Sequence, residues 1–121
     1  MAKVLVVDDR KSVREATALF LKAVGHQVSE AADGKEALAK MLSEKFDFIL
    51  TDLEMPGMNG DELTRRIKNS SPETRVAIYT GSIAREDDYE AKDLIKKTGA
   101  EIVFIKPIDN FRLDKVIRRQ S

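Results

Sequence analysis

Apolar and polar positions along the chain follow two alternating rhythms. Four short runs, Val4 to Val7, Phe48 to Leu50, Val76 to Tyr79 and Ile102 to Ile105, are apolar almost without interruption. Unbroken runs of this length mark strands covered on both faces, as in a parallel sheet. A weaker fifth strand is predicted around Gln27 to Ala31, after Gly25. Between these runs, apolar residues recur at steps of three and four, the period of a helix with one buried face. Val13, Ala16, Phe20, Leu21 and Val24 define the first helix, with Ser12 or Asp9 as its cap and Gly25 as its stop. Ala37, Leu38, Met41 and Leu42 form the stripe of the second, which Gly34 opens and Phe46 follows. The third starts near Asn59, buries Leu63 and Ile67, and stops before Ser70-Ser71-Pro72. The fourth is expected over about Arg85 to Thr98, ending at Gly99. The last covers about Phe111 to Arg118, with Leu113, Val116 and Ile117 inward.

Five strand–helix alternations predict an α/β domain, a parallel sheet with helices on both faces and right-handed crossovers. Ligands of such sheets gather at the carboxyl ends of the strands. Strand one ends in Asp8-Asp9, strand three in Thr51-Asp52, strand four in Tyr79-Thr80-Gly81-Ser82 and strand five in Lys106-Pro107. Neighbouring strands lie about 4.8 Å apart, so three carboxylates, one hydroxyl and one ammonium are expected in one small cavity. Crowded carboxylates repel one another. A hard divalent cation such as Mg²⁺ relieves this, because it takes oxygen ligands and also accepts phosphate oxygens. Lys106 adds positive charge and Thr80 a hydrogen-bond donor. This set could hold a phosphoryl group on Asp52 as an acyl phosphate.

The segments "VLVVDD", "ILTDLEMPGMNG", "VAIYTGS" and "FIKP" stand in order at these strand ends. Together they make the chain resemble the receiver domain of a bacterial response regulator, from two-component signalling, over nearly all of its 121 residues. The resemblance implies a flavodoxin-like, doubly wound (βα)5 fold with strand order 2-1-3-4-5, one receiver domain over residues 1–121. It implies Asp52 as phosphoacceptor. Asp8 and Asp9 would hold Mg²⁺ or Mn²⁺ together with Asp52 and the main-chain carbonyl of Glu54, Asp9 being the more direct ligand of the pair. Thr80 would hydrogen-bond the phosphoryl group, Lys106 would ion-pair with it, and Pro107 would follow a cis peptide bond. The phosphoryl donor would be a sensor histidine kinase or a histidine phosphotransfer protein. The output would be an unidentified protein or domain, read from the face of the fourth helix, fifth strand and fifth helix. Such a domain catalyses only its own phosphorylation and dephosphorylation, as a monomer or a phosphorylation-dependent homodimer.

Several positions depart from the family pattern or extend it. Val103 fills the slot that usually holds an aromatic residue, and Phe104 beside it points to the opposite face. An output surface without that aromatic is expected to read a shift of Thr80 differently. Lys106 follows Thr80 by 26 positions, a few more than usual, so the fourth helix or the loop before it is expected to be extended or rearranged. That segment carries Glu86, Asp87, Asp88, Glu90 and Asp93. The plain reading is a solvated face near a helix start. The sharper one is partner contact or self-association, with Arg112, Lys115, Arg118 and Arg119 meeting those acids. Glu54 and Ser82, two positions after Asp52 and Thr80, are expected to tune the lifetime of the phosphoryl group. His26, the only histidine, is read as a surface or loop residue, which leaves the chain without a convincing phosphohistidine of its own.

Composition narrows the remaining choices. Apolar residues make up 42% and charged residues 35%, as in a soluble globular domain. Lys plus Arg and Asp plus Glu number 21 each, so no bulk attraction to nucleic acid or an acidic membrane is indicated. The absence of cysteine excludes a disulfide framework and a thiolate metal site. With no signal-peptide layout and no apolar run near the roughly 18 residues of a span, the cytoplasm is the expected location. A haloacid-dehalogenase-like phosphatase would need an aspartate where Glu54 stands, and a cap. A flavodoxin-like cofactor module would need a first loop that cradles phosphate, where "VDDRKS" sets two acids. A calcium loop of EF-hand type would need a closing glutamate. The chain stops shortly after the last helix, so a stand-alone receiver and a domain cut from a longer protein both fit.

Overall fold

The computed structural model describes residues 1–119. In chain order the elements are β1 (Lys3–Val7), α1 (Lys11–Ala23), β2 (Gln27–Ala31), α2 (Gly34–Met41), β3 (Phe48–Asp52), α3 (Gly60–Ser70), β4 (Arg75–Thr80), α4 (Tyr89–Thr98), β5 (Ile102–Ile105) and α5 (Asn110–Arg118). The five strands pair in parallel in the order β2-β1-β3-β4-β5, the expected flavodoxin-like arrangement.

Strand alternation divides the core between the two faces. Val4, Val6, Phe48, Leu50, Ala77, Tyr79 and Phe104 pack with Leu21 of α1 and with Leu113, Val116 and Ile117 of α5. The residues between them turn the other way. Leu5, Val7, Ile49 and Val76 meet Ala37 of α2 and Leu63 and Ile67 of α3. Ile78 and Val103 meet Ala91 of α4 and Ile83. Both faces of the central strands are therefore dry, which is why their sequences read as continuous apolar runs.

The helix ends correct several expectations. Neither Ser12 nor Asp9 caps α1: Arg10 is the N-cap, without a side-chain cap bond. The Arg10 main-chain N–H instead donates to Asp8 Oδ1 at 2.9 Å. Gly25 does close this helix, at a φ of 102° that disfavours side chains. Ala18, not Ala16, is the buried alanine of α1. Leu42, expected in the stripe of α2, lies past its end and is 91% exposed. α4 begins at Tyr89, four residues later than expected, so the added length sits in the connection 81–88 and not in the helix. Within that connection Glu86 meets both terminal nitrogens of Arg112, at 2.5 and 2.6 Å, joining the loop to α5 inside the same chain.

His26 also departs from expectation. It lies in the loop between α1 and β2, but its ring is buried. Its Nδ1 accepts from the Ala2 main-chain N–H at 3.1 Å, which leaves Nε2 to bond Asp114 Oδ1 at 2.6 Å. The acidic partner comes from α5, 88 positions away, so no local sequence signal announces it. Burial acts to raise the Asp114 carboxyl. The His26 and Arg118 bonds outweigh it and hold the group below its usual value.

A carboxyl depressed by folding adds stability that is full above its unfolded pKa and is lost as pH falls through the folded one. Asp114→Ala should therefore cost about 1–3 kcal/mol near neutral pH, because it strands a buried ring nitrogen. The gap to the parent should narrow from about pH 5 downward. Denaturant titrations at several pH values check this; a gap that stays constant into strong acid would contradict it.

Candidate functional site

The rungs of the sheet set the site. Asp52 of β3 pairs with Tyr79 of β4, and Tyr79 pairs with Phe104 of β5. Paired residues of parallel strands point to one side, here the side covered by α1 and α5. Asp8 follows Val4 and Val6 in the same alternation, and Lys106 follows Phe104. Asp8, Asp52, Tyr79 and Lys106 thus converge above one face. Asp9 lies beyond the strand and is exposed.

Carboxylate oxygens of Asp8, Asp9 and Asp52 lie within 4.8 Å of one another. Octahedral Mg²⁺ binds oxygen at about 2.0–2.1 Å, which places opposite ligands about 4 Å apart. Three hard oxygen donors already this close need only small side-chain movements to share one such ion, so the donor set fits Mg²⁺ and equally Mn²⁺.

Lys106 Nζ donates to Asp52 Oδ1 at 2.9 Å and lies 4.9 Å from the centre of the Tyr79 ring. The Lys106–Pro107 peptide bond is cis, as expected. The Tyr79 hydroxyl donates to Asp8 Oδ2. Arg10 reaches Asp8 through Nε and Nη2, each at 3.3 Å, and its Nη2 lies 3.7 Å from Asp52 Oδ2.

These contacts separate two neighbouring acids. Burial pushes both upward. At Asp8 the Tyr79 hydroxyl, the Arg10 main-chain N–H and the Arg10 guanidinium outweigh burial and hold the carboxyl below its usual value. At Asp52 burial wins over the Lys106 hydrogen bond and charge, and nearby Asp8 adds to it, so the carboxyl is raised. Burial and the bond to Asp8 push the Tyr79 phenol far above its ordinary value, so it remains a donor.

Thr80 makes its side-chain hydrogen bonds to groups other than the three aspartates. It alternates with Tyr79 and so turns toward the α3–α4 side. Its hydroxyl bonds Glu54 at 2.9 and 3.1 Å and Ser82 Oγ at 2.8 Å. Ser82 Oγ also donates to Glu54 at 2.8 Å. The Glu54 side chain is thus spent on Thr80 and Ser82, which leaves its main-chain carbonyl as what it could offer an ion.

A family model for the response regulator receiver domain matches residues 4–118. The chain belongs to the response regulator receiver family. Chemotaxis protein CheY4 of Vibrio cholerae has a similar structure, with a TM-score of 0.87 at 36% identity over 98% of each chain. Protein PilH of Pseudomonas aeruginosa is 32% identical over 97% of this chain and 95% of its own length. The sensor kinase/phosphatase CqsS of V. cholerae is 37% identical over 88% of this chain, which spans only 16% of that protein. Against the gliding motility regulatory protein of Myxococcus xanthus the share is 11%. Among the described residues, no helix of this receiver is long and apolar enough to cross a membrane.

Sequence reasoning missed Arg10 and Tyr79 as parts of the receiver site. Arg10 directly follows the acidic pair, and a cation there was a usable signal. Tyr79 was visible only as the last apolar residue of its run. Its polar end matters because alternation aims it at Asp8.

Gly60 controls the position of Asp52 from behind. A Cβ there would sit 2.2 Å from the Asp52 carbonyl oxygen and 3.0 Å from Leu53 Cα, both main-chain atoms. The backbone would have to move. Gly60→Ala should destabilise the fold by about 2 kcal/mol or more and weaken Mg²⁺ binding. Denaturant melts and metal titration measure the two effects; parent-like values for both would refute the constraint.

Proposed function

We propose that Asp52 accepts a phosphoryl group from a phosphohistidine on a sensor histidine kinase or histidine phosphotransfer protein. An Asp52 carboxylate oxygen attacks phosphorus as the P–N bond breaks, and the bonding electron pair leaves with the imidazole nitrogen. Lys106, 2.9 Å from Asp52, carries this reading most directly, because its ammonium would neutralise charge on the transferred oxygens. Asp8, Asp9, Asp52 and the Glu54 carbonyl would hold Mg²⁺ or Mn²⁺. Such an ion supplies further neutralisation and a fixed template for the phosphate oxygens. Thr80 would leave Glu54 and donate to the phosphoryl group. TrrA of Thermotoga maritima, 26% identical with a TM-score of 0.83, has been solved with Mg²⁺ and BeF, which supports the metal assignment by likeness. Sporulation initiation phosphotransferase F of Bacillus subtilis, 35% identical over 88% of this chain, supports a place in phosphoryl transfer.

The output surface is assigned to α4, β5 and α5, read by an unidentified protein or domain in the cytoplasm. The chain acts on no substrate beyond its own phosphoryl group. It works as a monomer or as a homodimer formed on phosphorylation, and size-exclusion chromatography with and without phosphorylation distinguishes these.

Incubation with acetyl phosphate and Mg²⁺, followed by intact mass measurement, tests the reading. One added phosphoryl group is expected on the parent and none on Asp52→Asn. An unmodified parent, or a modified variant, would overturn the assignment of Asp52. Glu54→Ala removes the carboxylate partner of the Thr80 hydroxyl and a negative charge near the incoming phosphoryl group. The phosphorylated fraction at limiting acetyl phosphate should rise by roughly 2–5-fold, the equivalent of one modest hydrogen bond; an unchanged or lower fraction would remove Glu54 as a restraint.

A further inference from the structure

We propose that Arg10 is a built-in competitor for the divalent cation, its guanidinium occupying the carboxylates that the ion needs. This inference rests on the metal reading given above.

Lys106 takes Oδ1 of Asp52, which leaves Oδ2 as the oxygen turned toward the acidic pair. Arg10 Nη2 faces that oxygen at 3.7 Å while also lying 3.3 Å from Asp8 Oδ2. One planar cationic group thus bridges both buried acids, in the gap an ion would fill. A guanidinium is weakly hydrated and suits carboxylates in this way.

Its departure is structurally easy. The Arg10 side chain is 47% exposed and springs from the residue just before α1, so it can turn into solvent without opening the core. Asp8 does not depend on the guanidinium for its orientation. The Arg10 main-chain N–H and the Tyr79 hydroxyl hold its two oxygens separately. Other charged and polar groups converge on the same two acids. Lys106 donates to Oδ1 of Asp52, not to the Oδ2 that Arg10 faces. Arg14 Nη1 bonds the Asp8 main-chain carbonyl at 2.9 Å and pairs with Glu30, so it does not touch the carboxylates.

The sign follows whichever way the side chain responds. If the guanidinium leaves, its charge-assisted bonds to Asp8 are given up on metal binding. If it stays close, it repels the ion. Either way, metal affinity is lower with Arg10 than without it.

Calorimetric titration with Mg²⁺ at about 0.1 M ionic strength tests this with no phosphorylation involved. Arg10→Gln should bind about 5–20-fold more tightly than the parent, the scale of a partly exposed charge-assisted contact. Lys11→Gln removes the same charge one residue along, from an exposed side chain, and should change affinity by less than about twofold. In the parent, the NMR signal of the Arg10 Nε–H should move on saturation with Mg²⁺, and it decides the matter if the variant folds poorly. Equal or weaker binding by Arg10→Gln, a Lys11→Gln gain as large, or an unmoved Arg10 signal at saturation would each overturn the competitor role alone. Failure of both parent and Arg10→Gln to bind Mg²⁺ would overturn it together with the metal assignment.

Discussion

Three carboxylates held within 4.8 Å at one edge of a sheet form the constraint to which the surrounding structure answers. Two unit charges at that distance cost about 3 kcal/mol in an effective dielectric of about 20. Asp8 and Asp52 are both buried, so water screens them poorly. The fold offsets the repulsion in unequal shares. Asp8 receives a phenol, a main-chain N–H and part of a guanidinium, while Asp52 receives one ammonium and lies close to the same guanidinium. The opposite displacements of the two carboxyls follow from that inequality. The more strongly supported acid stays ionised as an anchor. The less supported one is left with electron density that one small cation and a lysine can steer.

Convergence of these groups is a consequence of the pleat. Side chains alternate along each strand, and parallel register carries the alternation across the sheet. Asp52, Tyr79 and Phe104 stand on one rung and face one way, and Asp8 and Lys106 continue the same parity on their own strands. A single residue inserted into β3 or β4 would flip one member to the far side. Gly60 guards the same arrangement from the chain that follows, since any side chain there would press on the Asp52 carbonyl.

Fold class, strand order and the Asp8, Asp9, Asp52 and Lys106 cluster were legible because each rests on a short-range signal: an unbroken apolar run, then a polar residue at its end. What the sequence concealed depends on distant partners or on which side of a strand a residue faces. His26 lies in a loop as read, but its burial and its bond to Asp114 were hidden because that partner lies far along the chain. The bonds of Thr80 to Glu54 and Ser82 follow from the side of β4 it faces, which its place at the strand end does not announce. α4 starts at Tyr89 and not near Arg85, since the acids of 81–88 suit a loop as well as a helix N-terminus. One of those acids, Glu86, bonds Arg112 of α5, a long-range pairing that local pattern does not show.

Parity also bears on how a change at Asp52 could travel. Val103 is buried beside Ile78, Ile83 and Ala91, on the side that Thr80 faces, whereas Phe104 packs on the opposite side with Leu113. A ring rotating into the space behind Thr80 has no source at position 103, and Phe104 cannot reach that space through the sheet. On its own side Thr80 bonds Glu54 and, at 2.8 Å, Ser82, and Ser82 adjoins Ile83 at the start of the long connection. That connection is tied to α5 through Glu86 and Arg112. A displacement of Thr80 toward Asp52 would therefore act first on the main chain of 81–83 and then on a salt bridge. Beyond Ser82 and the buried Ile83, the tie from this connection to α5 is an exposed ion pair, and such pairs contribute about 1 kcal/mol or less. Any coupling from Thr80 to α5 would here run along the connection 81–88 and through the Glu86–Arg112 pair.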